Sequence, residues 1–479
     1  MLPLILADLP YIDDIWRAQL AGRIDNANDS WTGQGRVLAD VFHAVLGFGN
    51  AAPDLFPLPL MLASVITAKA LAGLVTHYFE TPRLASLLVV LPLWYNPFFL
   101  QNLSYQYDAP LMALSLAASI VAITLGAQNG YRVLAGMLLV AVAASLYQIS
   151  INLFAGLCCI EAIRLILAGT GLRQVSGQAL MRIAQLAGGC ALYLLTGYQL
   201  ITVPRTQMLP LDQAWPLAIM QRLETTAEHV GLLITPGTAW FFVGLSMVAF
   251  LSLMQAVYRL FRADGHYGQK LGLVAVLMAC LVAVVLLVPG MSLLFADFNC
   301  APRLLMGLGP AMVLVALLAY RLLAEWHEGL AWALAIPLVF MLSFSYAYGR
   351  VLVAQKELEQ LVTFSISRAI QASPALSGAH RFYLHDYDPK RVWLPAASGS
   401  FQAMPALKYV LSIGYQVLPE MMPRVGLPEF GSVAPLTRDE VLARSPVPKV
   451  DERFFSIYLV DEVGYVVIKS PDRWVEYFK

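Results

Sequence analysis

Two adjacent carboxylates and an arginine stand close together near the start of the chain, in Pro10-Tyr11-Ile12-Asp13-Asp14-Ile15-Trp16-Arg17. Neighbouring acids repel, which raises the pKa of one and leaves a carboxylate suited to take a proton from a hydroxyl. The same spacing also reads as a solvated loop with an Asp-to-Arg surface pair. A second cluster runs from Trp94 to Asp108 and holds Tyr95, Asn96, Gln101, Asn102, Tyr105, Tyr107 and Asp108. Sugar sites need this mixture, because aromatic faces take the apolar side of a ring while amides and carboxylates bind hydroxyls. An aromatic belt at a membrane surface explains Trp94 and Tyr95, but less readily the amides and the acid beside them. Third, Arg303 follows Asp297-Phe298-Asn299-Cys300-Ala301-Pro302 and can clamp a phosphate with its planar fork, or simply snorkel to an interface. Tyr147, Gln148 and Asn152 complete the polar set.

The elements that must carry these residues are membrane helices. Of 479 residues 59% are apolar and only 13% charged, against roughly a quarter charged in soluble chains. Apolar segments long enough to span the bilayer fall at 57–76, 84–100, 109–127, 133–149, 151–168, 183–202, 239–258, 271–294, 304–320 and 330–350. A tight helical hairpin is expected around Tyr147. Arg83, Arg132, Arg164, Arg173, Arg182, Arg259, Arg262, Lys270 and Arg321 fall on one set of loops and helix ends. That side is expected to be cytoplasmic. The opposite loops, with Arg205, Arg222 and Arg303, then face the periplasm, and all the polar clusters fall on that side. Polar residues near membrane depth are costly and usually functional.

The expected fold is a polytopic α-helical membrane protein with a small C-terminal α/β domain. Residues 1–354 form the membrane domain, with a periplasmic first loop over 8–56, and 355–479 a soluble periplasmic domain ending in a β-hairpin over 453–469. Met1 to Ala7 reads as the last turns of a longer first helix. Within the first loop, Val37, Leu38, Val41, Phe42, Val45 and Leu46 make one apolar face of an interfacial helix, leaving His43 solvated on the other. Net charge is zero, which gives no field for nucleic acid. The cysteines offer neither a disulfide framework nor a zinc spacing and read as apolar packing residues.

The quoted residues resemble the phage-type, serotype-converting O-antigen glucosyltransferases, multi-spanning enzymes related to the GT-C class. The matching stretches are Leu6 to Asp14 with Arg17, Gly33 to Asp40, Asn96 to Asp108, Ser145 to Gln148 with Asn152, and Ala301 to Arg303. The resemblance implies a GT-C-like bundle in the bacterial inner membrane. The implied reaction moves glucose from undecaprenyl phosphate glucose to O-antigen of lipopolysaccharide at the periplasmic face. It implies Asp13 or Asp14 as general base, and Arg17, Arg36 and Arg303 as ligands of the donor phosphate. Asn96, Gln101, Asn102, Tyr105, Tyr107, Asp108, Tyr147 and Gln148 remain for sugar and acceptor. A single displacement would invert the anomeric centre. One phosphate makes a divalent metal possible but not obligatory, and no cofactor is implied. Competing readings are a transporter or flippase for lipid-linked sugars, a noncatalytic envelope protein, and a transferase of another sugar. Transporters place ionisable groups near the midplane, whereas Lys69, Glu161 and Arg164 lie near span ends.

Overall fold

The structure is a computed structural model that describes residues 1–21, 30–202, 207–376, 378–385, 393–415, 417–431 and 433–469. Arg205, counted above with the outward loops, lies outside the described residues. Two short helices open the chain, α1 (Leu2–Ala7) and α2 (Asp14–Leu20), followed by α3 (Val37–Gly47). Then come α4 (Leu58–Tyr78), α5 (Leu84–Val90), α6 (Pro92–Tyr95), α7 (Phe99–Ser104), α8 (Ala109–Thr124), α9 (Gly130–Leu146), α10 (Ser150–Leu167) and α11 (Leu172–Leu195). After them follow α12 (Trp215–Gly231), α13 (Ala239–Arg262), α14 (Tyr267–Leu286), α15 (Leu308–Trp326) and α16 (Ala335–Ala372). The chain divides into two compact units, one made of residues 17–345 and the other of residues 1–16 with 346–479.

In the larger unit, α4 packs on α8, α8 on α9, α9 on α11, α10 on α14 and α13 on α15. Among the described residues seven helices are long and apolar enough to cross a membrane, and α8, α9 and the α5–α6 pair are shorter apolar helices. Together they occupy the ten expected positions. The span expected over 84–100 is broken into α5, α6 and α7: Pro92 lacks a backbone donor although Leu91 before it stays helical, and Pro97 both lacks a donor and turns Asn96 out of the helix (ψ 124°). Such breaks are tolerated at membrane depth only where protein groups satisfy the freed backbone. Asn96 supplies one, its Oδ1 accepting the Phe98 N–H at 2.9 Å. The hairpin at Tyr147 is present: α9 ends at Leu146 and α10 begins at Ser150.

Helix α3 corrects the expectation for its faces. Ala39 and His43 are buried, His43 to 6% exposure, while Val41 and Val45 are 51% and 66% exposed. The expected apolar face is split: Leu38 and Phe42 pack with Ala39 on the cluster around Trp31, so that protein meets α3 on both of its faces. His43 is therefore a packed residue and not a solvated one. Arg182 needs a similar correction. It lies inside α11 with 5% of its side chain exposed, not on a loop. Its guanidinium donates to the Ala122 and Ile123 carbonyls at 3.0 and 2.7 Å at the C-terminal end of α8, where a cation suits the helix dipole. Arg182 also meets Glu161, which pairs in turn with His77 at 2.9 Å and Arg164 at 3.3 Å. Arg83 with Glu328 and Arg259 with Glu325 add ion pairs at the same helix ends.

In the smaller unit five strands, β1 (Arg381–His385), β2 (Phe430–Gly431), β3 (Val450–Asp451), β4 (Phe455–Val460) and β5 (Val463–Ile468), form a sheet in the order β2-β1-β5-β4-β3. The expected hairpin is β4–β5, turned by Asp461 and Glu462, both at positive φ, the backbone that a two-residue hairpin loop requires. Phe455, Ile457, Val466 and Ile468 point to a core with Ile15 and with Val362, Ile366 and Ile370 of α16. Tyr458, Val460, Tyr465 and Val467 line the other side with Val441. The sheet is thus covered on both faces.

Candidate active site

The acids of the first motif lie in the smaller unit. Tyr11 N–H donates to the Asp14 carboxylate at 2.8 Å, and Asp14 N–H returns a bond to the Tyr11 carbonyl at 3.2 Å. This closed turn holds Ile12 at φ 52°, a left-handed backbone that costs a β-branched residue about 1–3 kcal/mol. Tyr11 is fully buried, its hydroxyl donating to the Leu411 carbonyl. Asp14 is 1% exposed and starts α2, whereas Asp13 keeps partial exposure.

The remaining candidates lie in the larger unit and gather at one end of the bundle. The first-loop segment is built to present Arg36. Thr32 N–H donates to Asp40 at 2.8 Å, Gly33 N–H to Ser30 Oγ at 2.8 Å, and Arg36 N–H to the Trp31 carbonyl at 2.7 Å. Gly35 sits at φ 77°, and a Cβ there would lie 2.5 Å from the Tyr193 hydroxyl, so glycine is required on both counts. Arg36 meets Asp108 at 3.4 Å and lies 5.0 Å from the Tyr147 ring centre.

Asp108 stands just before the first residue of α8, and its carboxylate turns to the first loop instead of the helix end. It accepts the Trp31 indole N–H at 2.6 Å, and the Arg17 guanidinium stacks over Trp31 at 4.3 Å. Burial alone would push its carboxyl up. Arg17, Arg36 and the indole outweigh that and hold it below the usual range. His43 stacks on Trp31 at 4.5 Å and faces the Tyr107 carbonyl at 3.3 Å. Burial lowers its pKa to about 4 despite the pull of Asp108. At neutral pH the ring is therefore uncharged. The Tyr107 hydroxyl donates to the Ala52 carbonyl at 3.3 Å.

Arg303 is held by the broken helix. Its backbone N–H donates to Gln101 Oε1 at 2.8 Å, and its carbonyl accepts from Asn102 Nδ2 at 3.1 Å and from the Tyr147 hydroxyl at 3.2 Å. Its guanidinium donates to the Tyr105 hydroxyl and lies 5.1 Å from that ring. Gln148 completes the arrangement by donating to the Gln34 carbonyl at 2.8 Å and the Tyr193 hydroxyl at 3.0 Å. Tyr147 thus touches both arginines.

The arrangement is a patch of fixed cations, phenols and amides at the end of an apolar bundle, able to hold an anion and hydroxyl-rich groups. Among the described residues no three His, Cys, Asp or Glu side chains converge as metal ligands.

A family model described as glucosyl transferase GtrII matches residues 2–320. The chain belongs to the GtrII glucosyl transferase family. The resemblance read from the residues is borne out at the level of family. Every candidate residue of the GtrII site, from Asp13 to Arg303, falls inside the matched range, while the sheet falls beyond it. An uncharacterized 55.3 kDa protein from the gtrB 5′ region of Salmonella phage P22 is 33% identical over 154 residues, 32% of this chain and 30% of that protein. The chain therefore covers under a third of that relative. No solved structure matches.

Sequence reading missed Trp31, which organises Arg17, His43 and Asp108, and Tyr193, which fixes Gln148. A lone tryptophan two residues before a Gly-Gln-Gly turn was the available signal for the first. Nothing in the spacing marked the second.

Proposed function

We propose that this GtrII-family protein is a membrane glucosyltransferase moving glucose from undecaprenyl phosphate glucose to O-antigen on the periplasmic side, so converting serotype. The observation that carries the reading is the pair of arginines, Arg36 and Arg303, set around Tyr147 beside the amides of Gln101, Asn102 and Gln148. A phosphate leaving group gains negative charge as the glycosidic bond breaks, and pre-placed guanidinium groups at a low-dielectric interface stabilise it most at that moment. Phenols and amides beside them suit the hydroxyls of a sugar.

Asp13 is the proposed base. Asp14 is buried and its carboxylate closes the Tyr11 turn, a fixed role that suits anchoring. Asp13 is next to it and more exposed, as a group that must meet an acceptor hydroxyl has to be. The carboxylate takes the hydroxyl proton, the acceptor oxygen attacks the anomeric carbon, and the lipid phosphate departs with the bonding pair.

The test is to produce Asp13→Asn and Asp14→Asn separately in a host whose O-antigen lacks the modification. The wild-type chain adds a hexose to the polysaccharide, seen by mass spectrometry, and Asp13→Asn does not at equal protein level. Full modification by Asp13→Asn removes the proposed base.

A further inference from the structure

A cavity of about 210 Å³ opens in the larger unit on the flank of α15. Its walls come from Leu308, Ala311, Met312 and Val315 on α15, Phe242, Leu245 and Ser246 on α13, Leu88 and Pro92 by the broken span, and Leu338 and Met341 on α16. Ser246 is the one hydroxyl in a lining otherwise built of hydrocarbon. Apolar cavities of about 150 Å³ stay dry and take up hydrocarbon such as benzene. Water here would lack the polar partners it needs.

Two features tie this cavity to Arg303. The first is the chain: Pro302–Leu304 forms a 3-10 turn, and Leu308, the first cavity residue of α15, is five residues beyond Arg303, a reach of at most about 18 Å. From Leu308 to Val315 the helix then descends about 10 Å. The second is α12. Val230, at its end, and the following Leu233 and Ile234 also line the cavity. Arg222 on the same helix donates to the carbonyls of Leu293, Phe295 and Ala296 at 2.7, 2.6 and 3.1 Å. One helix therefore walls the cavity and holds the segment that leads into Arg303.

We infer that this cavity holds the first part of the polyisoprenyl chain of a lipid whose phosphate is taken by Arg303. The inference rests on the proposed lipid-linked donor and adds to it where the chain goes. The headgroup arginine stands in the turn just before α15 and the apolar slot begins at the first residue of that helix, so one amphiphile can engage both.

The experiment uses the full chain in lipid nanodiscs. Ala311→Phe and Ala316→Leu, both at positions of α15 that line the cavity, fill it without touching Arg303. Glucose transfer is measured from a long polyisoprenyl phosphate donor and from a donor with a single isoprene unit. The expected result is a KM for the long donor raised about tenfold, as losing two or so buried methylene groups would give, with the short donor unchanged. An unchanged long-donor KM in both variants overturns the inference. Because the variants could misfold, the wild-type chain is also labelled with a polyisoprenyl phosphate carrying a diazirine in its second isoprene unit. Label is expected on peptides containing 308–316 or 242–246, displaced by unlabelled polyisoprenyl phosphate and not by phosphatidylglycerol. Label elsewhere, or equal displacement by phosphatidylglycerol, overturns it. Wild-type protein that transfers from neither donor defeats the functional reading instead, and the labelling result then decides the cavity.

Discussion

Arg36 and Asp108, 72 positions apart in sequence, meet at 3.4 Å and fasten the first loop to the start of α8. The contact makes the two residues one unit. Sequence reasoning placed Arg36 with the phosphate and Asp108 with the sugar. In the structure the acid also anchors the cation.

Asp108→Asn is therefore expected to destabilise the protein by about 3–5 kcal/mol, because it leaves the Arg17 and Arg36 charges beside Trp31 without their buried carboxylate. Thermal unfolding in detergent micelles checks this. A melting temperature equal to wild type would mean the pair contributes little.

Arg303→Lys keeps a charge but loses the planar fork that stacks on Tyr105 and donates to its hydroxyl. Transfer should fall roughly 10²–10³-fold, the loss typical when one preorganised donor to a developing anion is removed. Arg303→Met should be at least as low, with protein level unchanged. A fully active lysine variant would argue for a point charge alone.

Acid should weaken the site through His43. Its pKa, about 4 in the fold against an ordinary 6.5, means that between those values the unfolded chain binds a proton that the folded one does not. Stability is then whole above pH 6.5 and falls as pH drops toward 4, by about 3 kcal/mol in all. His43→Gln should flatten that part of the stability curve. An unaltered slope in the variant would assign it to other groups.

Gly35→Ala tests the turn that presents Arg36. With φ at 77° and the Tyr193 hydroxyl 2.5 Å from the new carbon, about 1–3 kcal/mol of stability should be lost. Activity should fall further than stability, because Tyr193 is also the partner of Gln148.

Much of this was legible in the sequence. Apolar runs marked the positions of seven helices long enough to cross a membrane and of three shorter apolar ones, and the distribution of basic residues grouped Arg36, Asp108, Tyr147 and Arg303, which do meet. The broken helix at Pro92 and Pro97 was written in the chain but hidden by its high hydropathy. His43 was misjudged because an amphipathic pattern names two faces without showing that protein covers part of both. For Trp31 the adjacent Gly-Gln-Gly turn was a signal and for Tyr193 there was none, since the partners that give them their roles lie 77 and 45 positions away and only packing brings them together.

The most direct test reconstitutes the protein in membranes with undecaprenyl phosphate glucose labelled in the sugar and with lipid-linked O-antigen. Label should pass into the polysaccharide with the wild-type chain and fail to do so with Asp13→Asn. Label that never leaves the donor with folded wild-type protein, or that passes equally with Asp13→Asn, would contradict the account.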